Sequence, residues 1–520
     1  MPVTLCFALF FHPAQADKIS HPRAFIAKGD LYAEHNQAKQ ALHYYFKTAQ
    51  LPIVDNNALF QRIAVFKIAR IMANSNRPQQ ALAYYQQAFE YSNDFTDKAA
   101  ALQGIAKMQF WLGQYVRAER TYRLLLSYPL SPTEHELALA GLVKSLAYYD
   151  RPRRAYRFIP SSLSYKTPEL VIAASQASLW SDWADLTRTI LSTYQPITKQ
   201  LPKASALGRD LQDLQWQTNL ATNPNNLTPS VFSSHDSEDF NKTRELLDYT
   251  HYWQQTAQTS VGLEALTYTQ SHPHREQAEG LYLGQTLRPT RDIILHGQIE
   301  PMHFKNTSLY SRSNWDPLFW EGHGSYTPTD QLSFRLLALK EVIETFSAFQ
   351  DKITDNQYAT SVALHPLPYL EIDGAYSRLD MSDTNHRNVY FISSTALIMP
   401  SVGLSATGSL RDYTDRFTSP AYFSPHEYKA GTLLLRLGRR LGATWHYYLD
   451  GGVGRQYVIA RPGSAAAGSL TYQWGLGITG PLSKCLVLKA YYADLHQASA
   501  FLDSKDYHYQ YGGIGITLLL

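Results

Sequence analysis

The sequence predicts α and β structure in separate domains: an N-terminal all-α solenoid of helical repeats, followed by a C-terminal antiparallel transmembrane β-barrel of about 14–16 strands. Three observations carry this. The stretch "QALHYYFKTAQ" (Gln40 to Gln50) returns as "QALAYYQQAFE" (Gln80 to Glu90), a period of about 40 residues that suits paired amphipathic helices. In the second half, helical spacing gives way to short segments separated by turn signals such as "RPTRD", "TPTD" and "SDTNHR". In one of them, "SLTYQWGLGITGPL" (Ser469 to Leu482), Leu470, Tyr472, Trp474, Leu476 and Ile478 alternate with Thr471, Gln473, Gly475, Gly477 and Thr479. A strand here has one large apolar face and one small polar face.

The first element is a leader. "MPVTLCFALFFHPAQAD" has an apolar core from Val3 to Phe11 and an A-x-A arrangement at Ala14 and Ala16, so a signal peptide over 1–16 is expected, with the mature chain starting at Asp17. The usual basic residues ahead of the apolar core are missing. Removal of Cys6 with the leader leaves Cys485 alone, which excludes an intramolecular disulfide.

The helical repeats are expected over 17–222. Ala41, Ala81, Ala118 and Ala155 hold equivalent small positions, Tyr45, Tyr85 and Tyr122 follow one turn later, and Gly29, Ala69 and Ala106 supply small residues to each first helix. Pro52 and Pro129 close their repeats. These positions resemble the tetratricopeptide repeat. The fourth unit departs from it, with Val143 at a small position and Arg157 to Ile159 replacing the aromatic turn. In this register the groove-facing position of the first helices falls on Asp30, Arg70, Lys107 and Lys144. Arg70, Lys107 and Lys144 are therefore candidates for a basic ladder that binds an acidic partner or an anionic polymer; a solvated basic face is the alternative.

Residues 223–258 read as a linker, "NPNNLTPSVFSSHDSED", and a connecting helix, "NKTRELLDYTHYWQQTA". The barrel is expected over 259–520, in fourteen strand segments running from about 259–270 to 506–520. Its lumen side is expected to carry Gln473 and Arg436, and its lipid side Trp474. Charged residues would crowd the outside of a soluble sandwich. Here the polar faces are rich in Gly and Thr, which suits a lumen. The chain also ends on its last strand, with Leu520 where such barrels usually place an aromatic. No segment reaches the roughly 18 apolar residues of a membrane helix.

Composition narrows the function classes. A formal charge of +3 without Lys/Arg runs argues against nucleic-acid binding. The 36 Tyr and 9 Trp suit membrane interfaces and sugar-contacting surfaces. No phosphate loop, H-E-x-x-H or G-x-S-x-G occurs, so neither enzyme activity nor a cofactor is expected. The histidines of "HPHREQ" read as a turn, and the glycines of "DGGVGRQ" as relief of crowding in a strand. Leader, repeats and barrel together resemble bacterial exopolysaccharide export porins, the group that includes the poly-N-acetylglucosamine export porin and the outer-membrane component of cellulose synthase. "AYFSPHEYKAG" supports the resemblance through Tyr422, Phe423, Ser424 and Pro425, which match a loop element before a barrel strand. The relatives carry longer repeat arrays. The resemblance implies an outer-membrane porin that exports a polysaccharide, embedded in outer-membrane lipid, with periplasmic repeats that dock envelope proteins or polymer. A non-conducting anchor, receptor or adhesin is the alternative.

Overall fold

The structure is a computed structural model that describes residues 22–51, 58–160, 164–253, 256–271, 274–306, 314–441, 444–496 and 507–520. The expected leader and its cleavage site, Pro52, and His272 of the "HPHREQ" turn lie outside the described residues. The chain divides into two compact units, one of residues 1–149 and 158–173, the other of 150–157 and 174–520.

The first unit is built from α1 (Pro22–Glu34), α2 (Ala38–Ala49), α3 (Ala58–Asn74), α4 (Pro78–Tyr91), α5 (Phe95–Trp111), α6 (Tyr115–Leu126) and α7 (Pro132–Tyr148), each packed on its neighbours in sequence. The small positions do what the repeat demanded. Ala41, Ala81 and Ala118 are completely buried, and Tyr45, Tyr85 and Tyr122 nearly so. Each ring lies against a helix glycine: a Cβ on Gly29, Gly104 or Gly141 would come within 2.4, 2.4 or 2.2 Å of Tyr45, Tyr85 or Tyr122. No larger residue fits at these crossings without moving the helices apart. The turns inside the pairs repeat as well. Asn36, Asn76 and Gly113 each adopt positive φ shortly after a helix, and Gln37, Arg77 and Gln114 then donate their amides to carbonyls five residues back, at 2.8–2.9 Å. This closes free carbonyls of the first helix and reverses the chain. At the start of α7, Ser131 and Glu134 form a reciprocal capping box, with Ser131 N donating to the Glu134 carboxylate at 2.9 Å.

The second unit contains α8 (Pro152–Arg157), most of α9 (Pro168–Trp180), α10 (Ala184–Thr193), α11 (Gln195–Thr198), α12 (Ala206–Thr222) and α13 (Phe346–Asp351) together with the β structure. Sixteen strands close antiparallel into a barrel: β1 (Asn225–Asp236), β2 (Asn241–Trp253), β3 (Ala257–Gln270), β4 (His274–Thr290), β5 (Ile293–Asn306), β6 (Leu318–Thr329), β7 (Leu332–Val342), β8 (Thr354–Leu367), β9 (Leu370–Met381), β10 (His386–Met399), β11 (Leu404–Asp415), β12 (Glu427–Leu441), β13 (Trp445–Ile459), β14 (Ala467–Pro481), β15 (Leu486–His496) and β16 (His508–Leu519). Closure joins β1 to β16, with Val231 opposite Ile514 and Asp236 opposite Tyr509.

The last fourteen strands fall where the sequence places them. The first two correct it. Residues 223–258 are not a linker and helix but β1 and β2, so the barrel begins at Asn225. The Ser, Asn and Pro texture of β1 hid its alternation because its outward set, Leu227, Pro229 and Val231, alternates with small polar residues. In β2, Leu246 lies on the lumen face while Leu247 and Tyr249 lie outside, which counterfeits helical spacing.

The outer face is apolar. Leu263, Leu283, Ile299, Leu336, Leu410 and Val453 are 50–65% exposed across a band around the barrel, bordered by Tyr249, Trp253, Tyr326 and Phe334 toward the end where β1 begins and β16 finishes, and by Tyr358, Tyr390 and Tyr457 toward the other end. Water does not tolerate so large a continuous apolar surface; the hydrocarbon of a membrane does, with the rings at its interfaces. Among the described residues no helix is long and apolar enough to cross a membrane, so the crossing is made by strands. Turns at the end where β1 begins are short, as at Arg291–Asp292, Asp330–Gln331 and Pro368–Tyr369. Those at the other end include Ile343–Ile353 and Arg416–His426.

Candidate functional site

The candidate site is the barrel lumen. Strand alternation sends Thr471, Gln473, Gly475 and Gly477 inward and leaves Leu470, Tyr472, Trp474 and Leu476 exposed outside. Gln473 therefore lines the lumen, across from Gly452 of β13, and Trp474, 42% exposed, faces out. Arg436 also points inward. It pairs with Asp450 on the next strand through two hydrogen bonds of 2.6 Å and lies over the Tyr448 ring at 4.9 Å. In β13 two glycines of "DGGVGRQ" act as spacers, since a Cβ on Gly452 would sit 3.0 Å from the Leu433 carbonyl oxygen and one on Gly454 2.5 Å from that of Gly431, whereas Gly451 faces open space.

The two walls differ in chemistry. Lumen-facing positions of β5 to β9 carry Glu300, Glu321, Glu341, Asp355, Glu371 and Asp373, together with the stacked pair His296 and His323. The wall from β13 through β16 to β1 carries rings instead: Tyr448, Tyr491, Tyr509, Tyr511 and Phe232. Strands eight apart in a closed sixteen-stranded barrel face each other, so the acidic wall stands opposite the aromatic one.

At the end away from the start of β1, lumen-facing side chains meet inward-folded loops. Tyr268, Met302 and Phe304 pack with Phe240 and with Phe346 and Phe349 of α13 in a buried cluster. The Tyr268 hydroxyl donates to Glu344 at 2.9 Å, and Lys242 pairs with the same carboxylate. Thr345 caps α13 and donates its hydroxyl to the Ala421 carbonyl at 2.5 Å, which joins two loops.

The loop motif sits in this region. Tyr422, Phe423 and Ser424 are each 4% exposed, and Pro425 is buried. The Tyr422 hydroxyl donates to Asp383 at 2.9 Å, and burial together with that carboxylate pushes the phenol above its ordinary range. Phe423 packs on Tyr428, and its carbonyl accepts from Arg387, whose guanidinium also binds Asp415. Arg387, Asp415, Tyr413 and Tyr428 are lumen-facing, so the motif fastens its loop over the inner wall, and Pro425 precedes the start of β12.

Arg70, Lys107 and Lys144 occupy equivalent turns of α3, α5 and α7. Arg70 and Lys107 are exposed and Lys144 is half-buried. Lys107 lies over Trp111 at 5.1 Å, and Arg70 shares a cavity with Asp30, Tyr45 and Lys67. The aromatic wall and the inward loops were missed by sequence reading. Glycine paired across strands with tyrosine, visible only once the register is known, is the signal that finds the wall.

One further arrangement lies at the short-turn end. The carboxylate of Asp330, in the β6–β7 turn, accepts the amides of Arg153 and Arg154 at 2.8 and 2.9 Å, which caps α8. The buried Arg153 guanidinium binds the Asp292 carboxylate and the Thr327 carbonyl and lies over Trp183 at 5.3 Å. Trp183 in turn donates to the Arg291 carbonyl at 3.0 Å.

No family model matches the chain, and no curated protein matches it. Among solved structures, one described as a bacterial polysaccharide outer membrane secretin is similar at 14% identity, covering 57% of this chain and 98% of that one, with a TM-score of 0.47. Pseudomonas aeruginosa OccK3 (OpdO) is similar at 12% identity over 56% of this chain and 95% of its own, with a TM-score of 0.33. The CymD monoaromatic hydrocarbon channel gives 9% identity, 61% and 93% coverage, and a TM-score of 0.34. At these values none of them identifies the chain.

Proposed function

We propose that this chain is a bacterial outer-membrane channel that exports a polysaccharide without catalysis, after a leader over 1–16 has directed it across the inner membrane. The observation that carries the reading is the closed even-numbered barrel with an apolar exterior and a polar, charged inner wall, the form taken by strands that enclose a path through lipid. In this reading the short-turn end faces the periplasm and the longer loops face outward. The helical repeats are of the tetratricopeptide kind, lie in the periplasm and dock envelope proteins or polymer through Arg70, Lys107 and Lys144.

Purified full-length protein in planar bilayers tests this. Steady ohmic conductance supports a channel, and a silent bilayer with correctly assembled protein overturns it. The buried cluster of Tyr268, Phe304, Phe346 and Phe349 favours a second reading, an anchor whose loops present a surface, because it fills part of the wall near one mouth. Silence in bilayers together with surface exposure of the loops would select that reading.

A further inference from the structure

We propose that the aromatic wall from β13 to β1 is a carbohydrate-stacking track that holds pyranose rings by their apolar C–H faces. This rests on the channel reading and names the substrate chemistry of the same lumen. One row of cross-strand partners runs Tyr448, Gly477, Tyr491, Gly513, Phe232. Ring and glycine alternate, so successive rings stand two interstrand spacings apart, about 10 Å, close to the length of two linked sugars. A Cβ on Gly477 would come within 2.3 Å of the Tyr448 ring, and one on Gly513 within 2.8 Å of Tyr491. Tyr448 and Tyr491 therefore lie flat over the glycines with the opposite face toward the lumen, where Arg436 lies over Tyr448 at 4.9 Å and Lys489 over Tyr491 at 5.9 Å, cations that a stacking sugar would displace. Tyr511 fills the gap between neighbours, with its centroid 6.3 Å from Tyr491 and 6.2 Å from Phe232, and Tyr509 extends the surface 5.5 Å beyond it.

Covering of strand glycine by an aromatic ring is also a structural device, and the barrel contains one that is only that. Tyr282 covers Gly262, is 7% exposed, and donates its hydroxyl to Asp248. The track differs in exposure and in its hydroxyls. Tyr448, Tyr491 and Tyr511 are half-buried rather than buried, and their hydroxyls have no hydrogen-bond partner among the described residues. Half-open rings with unengaged hydroxyls match a sugar, which offers a C–H face to the ring and hydroxyls at its rim.

Cellohexaose, whose hydroxyls are all equatorial, is the probe. In planar bilayers it should interrupt the ion current of the wild type in a concentration-dependent way. Tyr448→Leu/Tyr491→Leu, which keeps apolar bulk over the glycines, should weaken that block about tenfold or more, with ion conductance within about twofold of wild type. Tyr448→Phe/Tyr491→Phe should retain the block within about threefold. A conducting wild type with no block, or a Leu variant blocked as strongly as wild type, overturns the track and leaves the channel standing. If the wild type does not conduct, the channel reading fails and the track is judged by calorimetric binding of cellohexaose to the detergent-solubilised protein. A loss of tenfold or more in the Leu variant sustains the track, and equal or absent binding rejects it.

Discussion

Replacing Asp330 by Ala removes the carboxylate that caps α8 from the β6–β7 turn. Two amides, those of Arg153 and Arg154, lose an acceptor at 2.8 and 2.9 Å. An ordinary side-chain cap contributes about 1 kcal/mol, and charged acceptors contribute more. Water reaches this half-buried site and replaces part of the loss, so about 2 kcal/mol is expected, a change of roughly 30-fold in the local opening equilibrium. Global unfolding of a sixteen-stranded barrel would not register so small a term. Hydrogen exchange of α8 would, because helices held by few contacts open locally. In Asp330→Ala, amides of Ala155 to Arg157 should exchange roughly 30-fold faster while those of β6 and β7 hold wild-type protection. Unchanged protection in α8, or an equal loss in the strands, would refute this explanation of how α8 is fixed to the barrel.

The capping box of α7 gives a prediction in pH. The hydroxyl and amide of Ser131 hold the Glu134 carboxyl below the usual range, so its contribution is present above the unfolded value of about 4.3 and is lost as pH falls through the lower folded value. Melting of the helical unit, followed in the full chain by loss of its helical circular dichroism, should therefore show Glu134→Gln destabilised at pH 7, by about 1 kcal/mol or less at this exposed site, with the difference fading below about pH 4. Reversal of Arg70, Lys107 and Lys144 to Glu should leave folding almost intact, the exposed Arg70 and Lys107 each costing about half a kcal/mol or less, while crosslinking in cells should lose periplasmic partners. A full complement of partners would make the three cations a solvated face.

Much of the architecture was legible because each part repeats. Ala41, Ala81 and Ala118 recur where helices cross, and the fourteen later strands each carry a turn signal and an apolar face. The first two strands escaped notice for a local reason: Leu246 and Leu247 sit side by side in sequence but on opposite faces, so the alternation broke where Leu246 meets the lumen. The site was half legible. Gln473 and Arg436 followed from alternation alone, whereas the aromatic wall depends on which residues lie opposite each other. Tyr491 is separated by about 40 residues from Tyr448 and by far more from Phe232, and no local pattern joins them. Tyr422 to Pro425 were legible as a loop, but their attachment to the inner wall comes from Arg387 and Asp383, remote in sequence.

Everything proposed for this protein depends on one face of each strand meeting lipid and the other an aqueous path. Single cysteines at 473 and 474, in a Cys485→Ser background that removes the exposed native thiol, test this most directly in native membranes. A small charged thiol reagent added from water should modify Gln473→Cys rapidly and leave Trp474→Cys unmodified. Equal labelling of the two, or faster labelling at 474, would contradict it.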